Sequence, residues 1–427
     1  MNIFEGFGFS ENPYAVAPLS GDAMGSRLLV GRDKEVLKLH KHWTSVDTHA
    51  SMEGDNGVGK TSLVAVAAYR AMQNYAAGEL TSPFLPLVET FQVSTDHESL
   101  ERHILSVIAR SIFKYEVFLS SAGYDLPNLA NIRTWLESPL VYGYGGGVGL
   151  TPVSISASRS TSINTGGFSE TGFRSAVHDW LKIIFPKGSV GGFVGVIDNL
   201  EILETSQEAR RVLREMRDTL LKLPGVRWVL CGANGIMRSA VGSPSLSGVI
   251  ADPIPVKPLS AHDSARVIER RLEEYRTRSD ATAPVEPQGF EYLYRVAGNN
   301  LRIALKHAQD FSLWVDMNDL MPADAEERMT LLKEWLDQQA DKYEAEARSV
   351  TPRGWTFFDK LLSEGGSCTP GEFLEYGFNS MPAMRPVVKQ LEEAELVSSS
   401  VSESDQRRKT IQATPRGWLI HYKRSKF

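Results

Sequence analysis

Residues 53–63, EGDNGVGKTSL, set Gly54, Asp55, Asn56, Gly57, Val58, Gly59, Lys60, Thr61 and Ser62 in the order of a phosphate-binding loop. Its glycines let the backbone turn with N–H groups pointing inward, and a helix starting near Lys60 adds its positive end. Lys60 then reaches the β- and γ-phosphates, and the Thr61 hydroxyl becomes a ligand for Mg²⁺, so the expected cofactors are ATP and Mg²⁺. Such a loop needs a second acid at the end of a neighbouring strand to hold the metal's water shell. Asp198 stands where the apolar run GFVGVI ends. The next residue is Asn199, whose amide can orient a water but cannot take its proton, which predicts slow hydrolysis. Glu201 is the candidate replacement base if the chain turns back after Asn199. Asn234, in CGANG, is a candidate to orient water at the γ-phosphate, or a turn former before Gly235. Arg302, in GNNLRIALKHA, is a candidate phosphate contact, or a solvated helix residue. Arg238 is placed to act as a finger in a neighbouring copy's site.

These groups must be held by alternating strands and helices. FLPLVETFQVS (84–94), GGFVGVID (191–198), VRWVLCG (226–232) and GVIADPIPV (248–256) read as strands. Segments of helical period such as SLERHILSVIARSIFKYEVFL and SQEARRVLREMRDTLLKL lie between them. That rhythm predicts an α/β fold with a parallel sheet covered by helices on both faces. In LLVGRDKEVLKLHKHW, Asp33 is the expected helix cap, and in KPLSAHDSARV Ser260 and Asp263 are placed to cap reciprocally. The glycine- and serine-rich stretch 142–167 reads as an insertion, either a strand pair or a surface loop. The division predicted is an ATPase core over 1–257, a helical lid over 258–315, a linker helix over 316–349 and a last domain over 350–427.

With 427 residues, 42% of them hydrophobic and 23% charged, the chain can build several cores. No apolar run is long enough to span a bilayer and the first residues lack a signal peptide's pattern, so a soluble, cytoplasmic protein without a membrane partner is expected. Two cysteines, Cys231 and Cys368, cannot make a disulfide framework or a four-ligand zinc site. The net charge of −6 argues against non-specific coating of nucleic acid, but from Asp405 to Phe427 seven basic residues face one acid.

The order of EGDNGVGKTSL, VIDNLE, VLCGANG and GNNLR, with a helical lid between the last two, resembles the AAA+ and STAND ATPases. It looks closest to the branch of origin-recognition initiators and transposition and secretion ATPases. LLVGRDKEV is similar to the motif such proteins place beside the adenine, and FGFSENPY to the start of the transposition and secretion group. The resemblance, over roughly residues 5–310, implies ATP/ADP as ligands and self-association through the ATP site. Asn199, where many such ATPases carry a glutamate, departs from the pattern.

Residues 350–427 read as three helices (GWTFFDKLLSEGG, TPGEFLEYG, RPVVKQLEEAELV) and two strands around SESDQRRK, a succession similar to a winged helix. Its third helix would enter a major groove of duplex DNA, with Arg407, Arg408 and Lys409 along phosphates. Glu392, Glu393 and Glu395 would repel DNA there, leaving protein contact open. The pentapeptide TPRGW occurs at 351–355 and 414–418; the first copy is expected to open a helix and the second to close a strand. Two functional readings stand: an ATP-dependent switch that engages duplex DNA, and a STAND-type signalling or defence ATPase that recruits a separately encoded effector protein.

Overall fold

The computed structural model of the chain describes residues 2–94, 96–136, 170–186, 190–200, 206–233, 236–320, 322, 324–368, 370–402 and 408–425. Six strands form the first sheet: β1 (Ala50–Glu53), β2 (Phe84–Pro86), β3 (Phe91–Gln92), β4 (Gly192–Asp198), β5 (Val226–Gly232) and β6 (Ile254–Pro255). Their order is β2-β4-β5-β1-β6, with β3 also on β4, and every pairing is parallel. The centre of such a sheet is buried on both faces, which is why β4 and β5 are continuous apolar runs instead of alternating ones. One face packs on helices Asp33–Ser45 and Lys60–Ala76 through Val36, Leu39, Leu63 and Val64. The other packs on helices His97–Lys114, Glu170–Ile184 and Ser206–Asp218 through Ile104, Ile108, Val177 and Leu213. The α/β expectation of a parallel sheet with helices on both faces is met.

Several boundaries differ from expectation. The run 84–94 is two short strands, β2 and β3, with a turn between them. The run 248–256 keeps only β6 and an isolated bridge of Ile250 to His49, because Pro253 and Pro255 have no N–H to give a ladder. Asp33 is the first helical residue and not the cap: Arg32 holds the cap position without a side-chain bond, and Asp33 accepts a hydrogen bond from Arg70 at 3.1 Å. Ser260 caps as expected, accepting from Asp263 N at 3.0 Å, but its hydroxyl donates to the Asp263 carboxylate at 2.7 Å, so the two side chains bond each other.

Helices Ala261–Tyr275, Pro287–Val296 and Leu301–Met317 make the lid, and Ala325–Glu346 packs on it through Leu332, Trp335 and Leu336. The N-terminal segment joins that same core through Phe4, Phe9 and Tyr14, away from the sheet with which the sequence grouped it. The Tyr14 hydroxyl donates to Val285 O at 2.7 Å and accepts from Val285 N at 3.0 Å.

The last domain contains helix Pro352–Ser363, β7 (Ser367–Cys368), helix Met381–Glu393, β8 (Val397–Ser402), β9 (Arg408–Ala413) and helix Pro415–Arg424, with sheet order β7-β9-β8. TPGEFLEYG is not a helix. It holds one short 3₁₀ turn at Pro370–Glu372, and the chain reverses at Gly377 in a left-handed conformation, φ +76°. The second TPRGW opens a helix instead of closing a strand, and both copies work alike. Thr351 and Thr414 cap, accepting from Gly354 N at 3.2 Å and Gly417 N at 3.1 Å, with proline in the first turn. A Cβ on Gly354 would come within 2.9 Å of Val350, and one on Gly417 within 2.3 Å of the Leu396 carbonyl, so close packing excludes larger residues. Among the described residues no helix is long and apolar enough to cross a membrane.

Candidate nucleotide site

Ligand crevices of open α/β sheets lie beyond the carboxyl ends of the strands. There β1 runs from Glu53 into Gly54 and the loop, which needs left-handed backbone at Gly57 (φ +87°) and Gly59 (φ +92°) before the helix opens at Lys60. The Lys60 ammonium is buried and donates to Gly54 O at 2.8 Å and Asp55 O at 3.2 Å. It lies inside the loop's own curve, where phosphate oxygens would be stronger, charged acceptors.

Across β5, the Thr61 hydroxyl donates to an Asp198 carboxylate oxygen. The other oxygen, Oδ1, accepts from Asn199 N at 2.8 Å. Hydroxyl and carboxylate oxygens side by side suit Mg²⁺, which keeps several waters and takes one or two protein oxygens beside those of a substrate phosphate. Among the described residues no group of three or more His, Cys, Asp or Glu offers an alternative metal site. Asn199 is left-handed, φ +59°, a conformation Asn adopts more readily than Glu.

The lid covers the loop. Asn300 caps helix Leu301–Met317, accepting from Ile303 N at 3.2 Å, while its amide donates to Asn56 O at 2.7 Å. A Cβ on Gly57 would stand 2.5 Å from Asn300 Oδ1 and 2.9 Å from Arg302 Cβ. Arg302 is exposed and lines the cleft with Asn56, Lys60, Thr61 and Asp198. The same cleft is also lined by the apolar residues Val16, Pro18, Leu28, Val30, Leu259 and Leu305. The N-terminal segment walls it and is tied to the loop helix, Leu19 N donating to Ser62 Oγ at 2.9 Å. Arg32 braces the floor by donating to Val58 O at 2.9 Å and Lys257 O at 2.8 Å; burial pushes its pKa down, with Glu35 nearby opposing the shift. Arg271 donates to Pro13 O at 3.1 Å and Ala15 O at 2.8 Å, holding the N-terminal wall.

Asn300, Arg32, Arg271 and the wall at 16–19 were not singled out from sequence as site residues. Asn300 carried a signal, an asparagine just before an apolar helical period. The others act through backbone contacts with distant segments. Arg238, whose guanidinium is 70% exposed, is paired within its own chain to Glu53, 7% exposed at the end of β1. The other Glu53 oxygen is buried without a hydrogen-bond partner. Glu201, Asn234, Arg407 and the 142–167 insertion lie outside the described residues. Arg408 and Lys409 fall on β9, in register with Ser402 and Val401.

Three basic residues of the tail are paired with acids of other elements. Arg424 makes two bonds to Asp359, at 3.0 and 2.7 Å, and one to Glu344 at 3.3 Å. Arg416 pairs with Glu346 at 3.2 Å and Glu395 at 3.0 Å, and Lys423 pairs with Asp341. On the helix Met381–Glu393, Arg385 and Lys389 are exposed, the latter 3.6 Å from Glu393.

No protein-family profile matches the sequence. No curated protein matches it either. Among solved structures the chain is similar to the Orc1 protein of Aeropyrum pernix in complex with DNA, at 14% identity and TM-score 0.45, over 99% of this chain and 98% of that one. It is similar to the Orc2 protein of Aeropyrum pernix in its ADP form at 13% identity and TM-score 0.45, over 93% and 94%. Cdc6p from Pyrobaculum aerophilum aligns at 13% identity and TM-score 0.38, over 98% and 99%.

Proposed function

We propose that the protein is an ATP-dependent switch that binds Mg-ATP between core and lid, hydrolyses it slowly, self-associates through the nucleotide site and engages duplex DNA through a C-terminal winged helix. The observation that carries this reading is the convergence of Lys60, Thr61, Asp198 and Arg302 on one cleft with an apolar lining, with Asn300 bonded to Asn56 of the loop. Such a cleft can hold a charged triphosphate at one end and a flat base at the other. Thr61 and Asp198 would hold Mg²⁺, which would neutralise charge on the transferring phosphoryl group. Lys60 and Arg302 would bind phosphate oxygens, and the Asn199 amide would orient the attacking water without accepting its proton. A base for that proton is then wanting unless Glu201, a partner or a second copy supplies one.

The succession of helix, short strand, helix, hairpin and helix supports the winged-helix assignment of 350–427. A second reading, a STAND-type signalling or defence ATPase acting through a separate effector, is favoured by the spent cations Arg416, Lys423 and Arg424, since charges satisfied internally add little to a phosphate surface. Steady-state ATP hydrolysis with and without saturating duplex DNA at low salt decides between them. Stimulation by DNA supports the switch; slow turnover indifferent to DNA supports the effector reading.

A further inference from the structure

The turn between the last two lid helices touches both ends of the molecule. Its glycine and first asparagine are left-handed, Gly298 at φ +63° and Asn299 at φ +60°, with Asn299 N donating to Tyr294 O at 2.9 Å. Asn300, the next residue, is bonded to Asn56 of the phosphate-binding loop at 2.7 Å. On the other side, the Trp418 indole of the last helix lies against Gly298, where a Cβ would come within 2.4 Å of the ring. The same indole lies against Gly366 of the C-terminal domain, 2.5 Å from where its Cβ would be. A single residue, Asn299, thus separates the seat of Trp418 from the lid's hydrogen bond to the loop.

The helix carrying Trp418 belongs to two cores at once. Leu419 is buried in the lid core and Ile420, its neighbour, in the core of the last domain. Tyr422 bonds the Tyr292 hydroxyl on lid helix Pro287–Val296, with ring centroids 5.7 Å apart. A helix wedged this way cannot move with one domain and stay with the other, because packed interiors respond by discrete rearrangement and not by continuous give.

We propose that Trp418 is a positioning residue of the nucleotide site: seated on Gly298, it fixes the turn that places Asn300 and Arg302 over the phosphate-binding loop, so that nucleotide binding and C-terminal helix docking are thermodynamically linked. The proposal rests on the cleft binding nucleotide. Linkage is reciprocal, so it has two readouts. Saturating Mg-ATP or ADP should slow amide hydrogen exchange at 415–424 in the full-length protein, along with 54–62. Trp418→Ala should weaken nucleotide affinity about fivefold or more, the lower end of ordinary coupling, and Trp418→Phe should restore most of it. If Trp418→Ala loosens the whole last domain, seen as faster exchange across 352–393, the test passes to Asn300→Ala. That variant, at saturating nucleotide, should protect 54–62 and leave 415–424 unprotected. Wild-type affinity in a folded Trp418→Ala variant, or wild-type protein in which nucleotide protects 54–62 but not 415–424, would overturn the linkage. Nucleotide that protects neither segment would instead overturn the nucleotide reading beneath it.

Discussion

Thr61 and Asp198, 137 positions apart in the chain, meet through a hydrogen bond from hydroxyl to carboxylate at the carboxyl edge of the sheet. β5 lies between the strands that deliver them, so the pair forms only when three strands are in register. Asp198→Asn keeps the size and removes the charge a metal needs. Mg²⁺-dependent ATP hydrolysis should fall on the order of 100-fold, the scale seen when a charge-stabilising group is removed from a reacting centre. ADP binding without metal, followed by calorimetry, should change far less.

Asn199→Glu tests the proposal that an amide at this position keeps turnover slow. A carboxylate at that position can accept the proton that an amide cannot, and a placed general base contributes roughly 100-fold or more. Glutamate fits the φ of +59° less well than asparagine, at a stability loss of about 1 kcal/mol. A faster steady-state rate together with a slightly lower thermal midpoint is the expected pair of results; an unchanged rate in a folded variant rejects the explanation.

Arg424→Ala should act on stability and not on DNA. Its two bonds to Asp359 and its stacking at 4.4 Å over Trp355 hold helix Pro415–Arg424 against the rest of the domain. The loss should be about 1 kcal/mol in chemical denaturation, since the group is partly exposed. Arg385→Ala, on the exposed face of helix Met381–Glu393, should instead weaken duplex binding and lower its salt dependence by about one counterion. If Arg424→Ala shows the steeper loss in DNA affinity, the charge assignment is wrong.

Acid should destabilise the core through His49. Its ring accepts from Trp228 N at 3.2 Å and meets Leu221 O at 2.8 Å, and burial pushes its pKa down to about 4. The unfolded chain therefore takes up the proton first as pH falls below about 6.5. Stability is fully present above that pH, declines towards pH 4 and levels off below it, by an amount on the order of 3 kcal/mol. Thermal midpoints of wild type and His49→Asn from pH 7.5 to 4 should converge at the acid end; parallel curves would reject His49 as a source.

The loop, β4 and β5 were legible because each is a contiguous signal: a fixed spacing of glycines with a lysine, and apolar runs long enough for a central strand. What escaped notice depends on partners far along the chain. Nothing near Val16–Leu19 announces that these residues wall a cleft, since Arg271 supplies the bonds that hold their segment there. Composition alone gives the tail's positive charge but not that Arg416, Lys423 and Arg424 are paired, because Asp341, Glu344 and Glu346 sit on a different helix. The TPRGW repeat shows the converse. Thr, Pro and Gly have the same local duties in both copies, yet only the first reads as a helix start, because a strand runs directly up to Thr414 and masks the helix that follows.

The bond between Tyr14 and Val285 spans 271 positions, so the wall of the cleft cannot close until most of the polypeptide exists. At the usual 5–20 residues per second of synthesis, the N-terminal segment waits roughly 15–50 s with Phe4, Phe9 and Tyr14 uncovered. The strands of the sheet that carries the phosphate-binding loop, by contrast, are all present once Pro255 is made. During its own manufacture the protein should pass through a stage able to grip a triphosphate tail before it can enclose a base, a window in which early ligand capture or chaperone contact would fall.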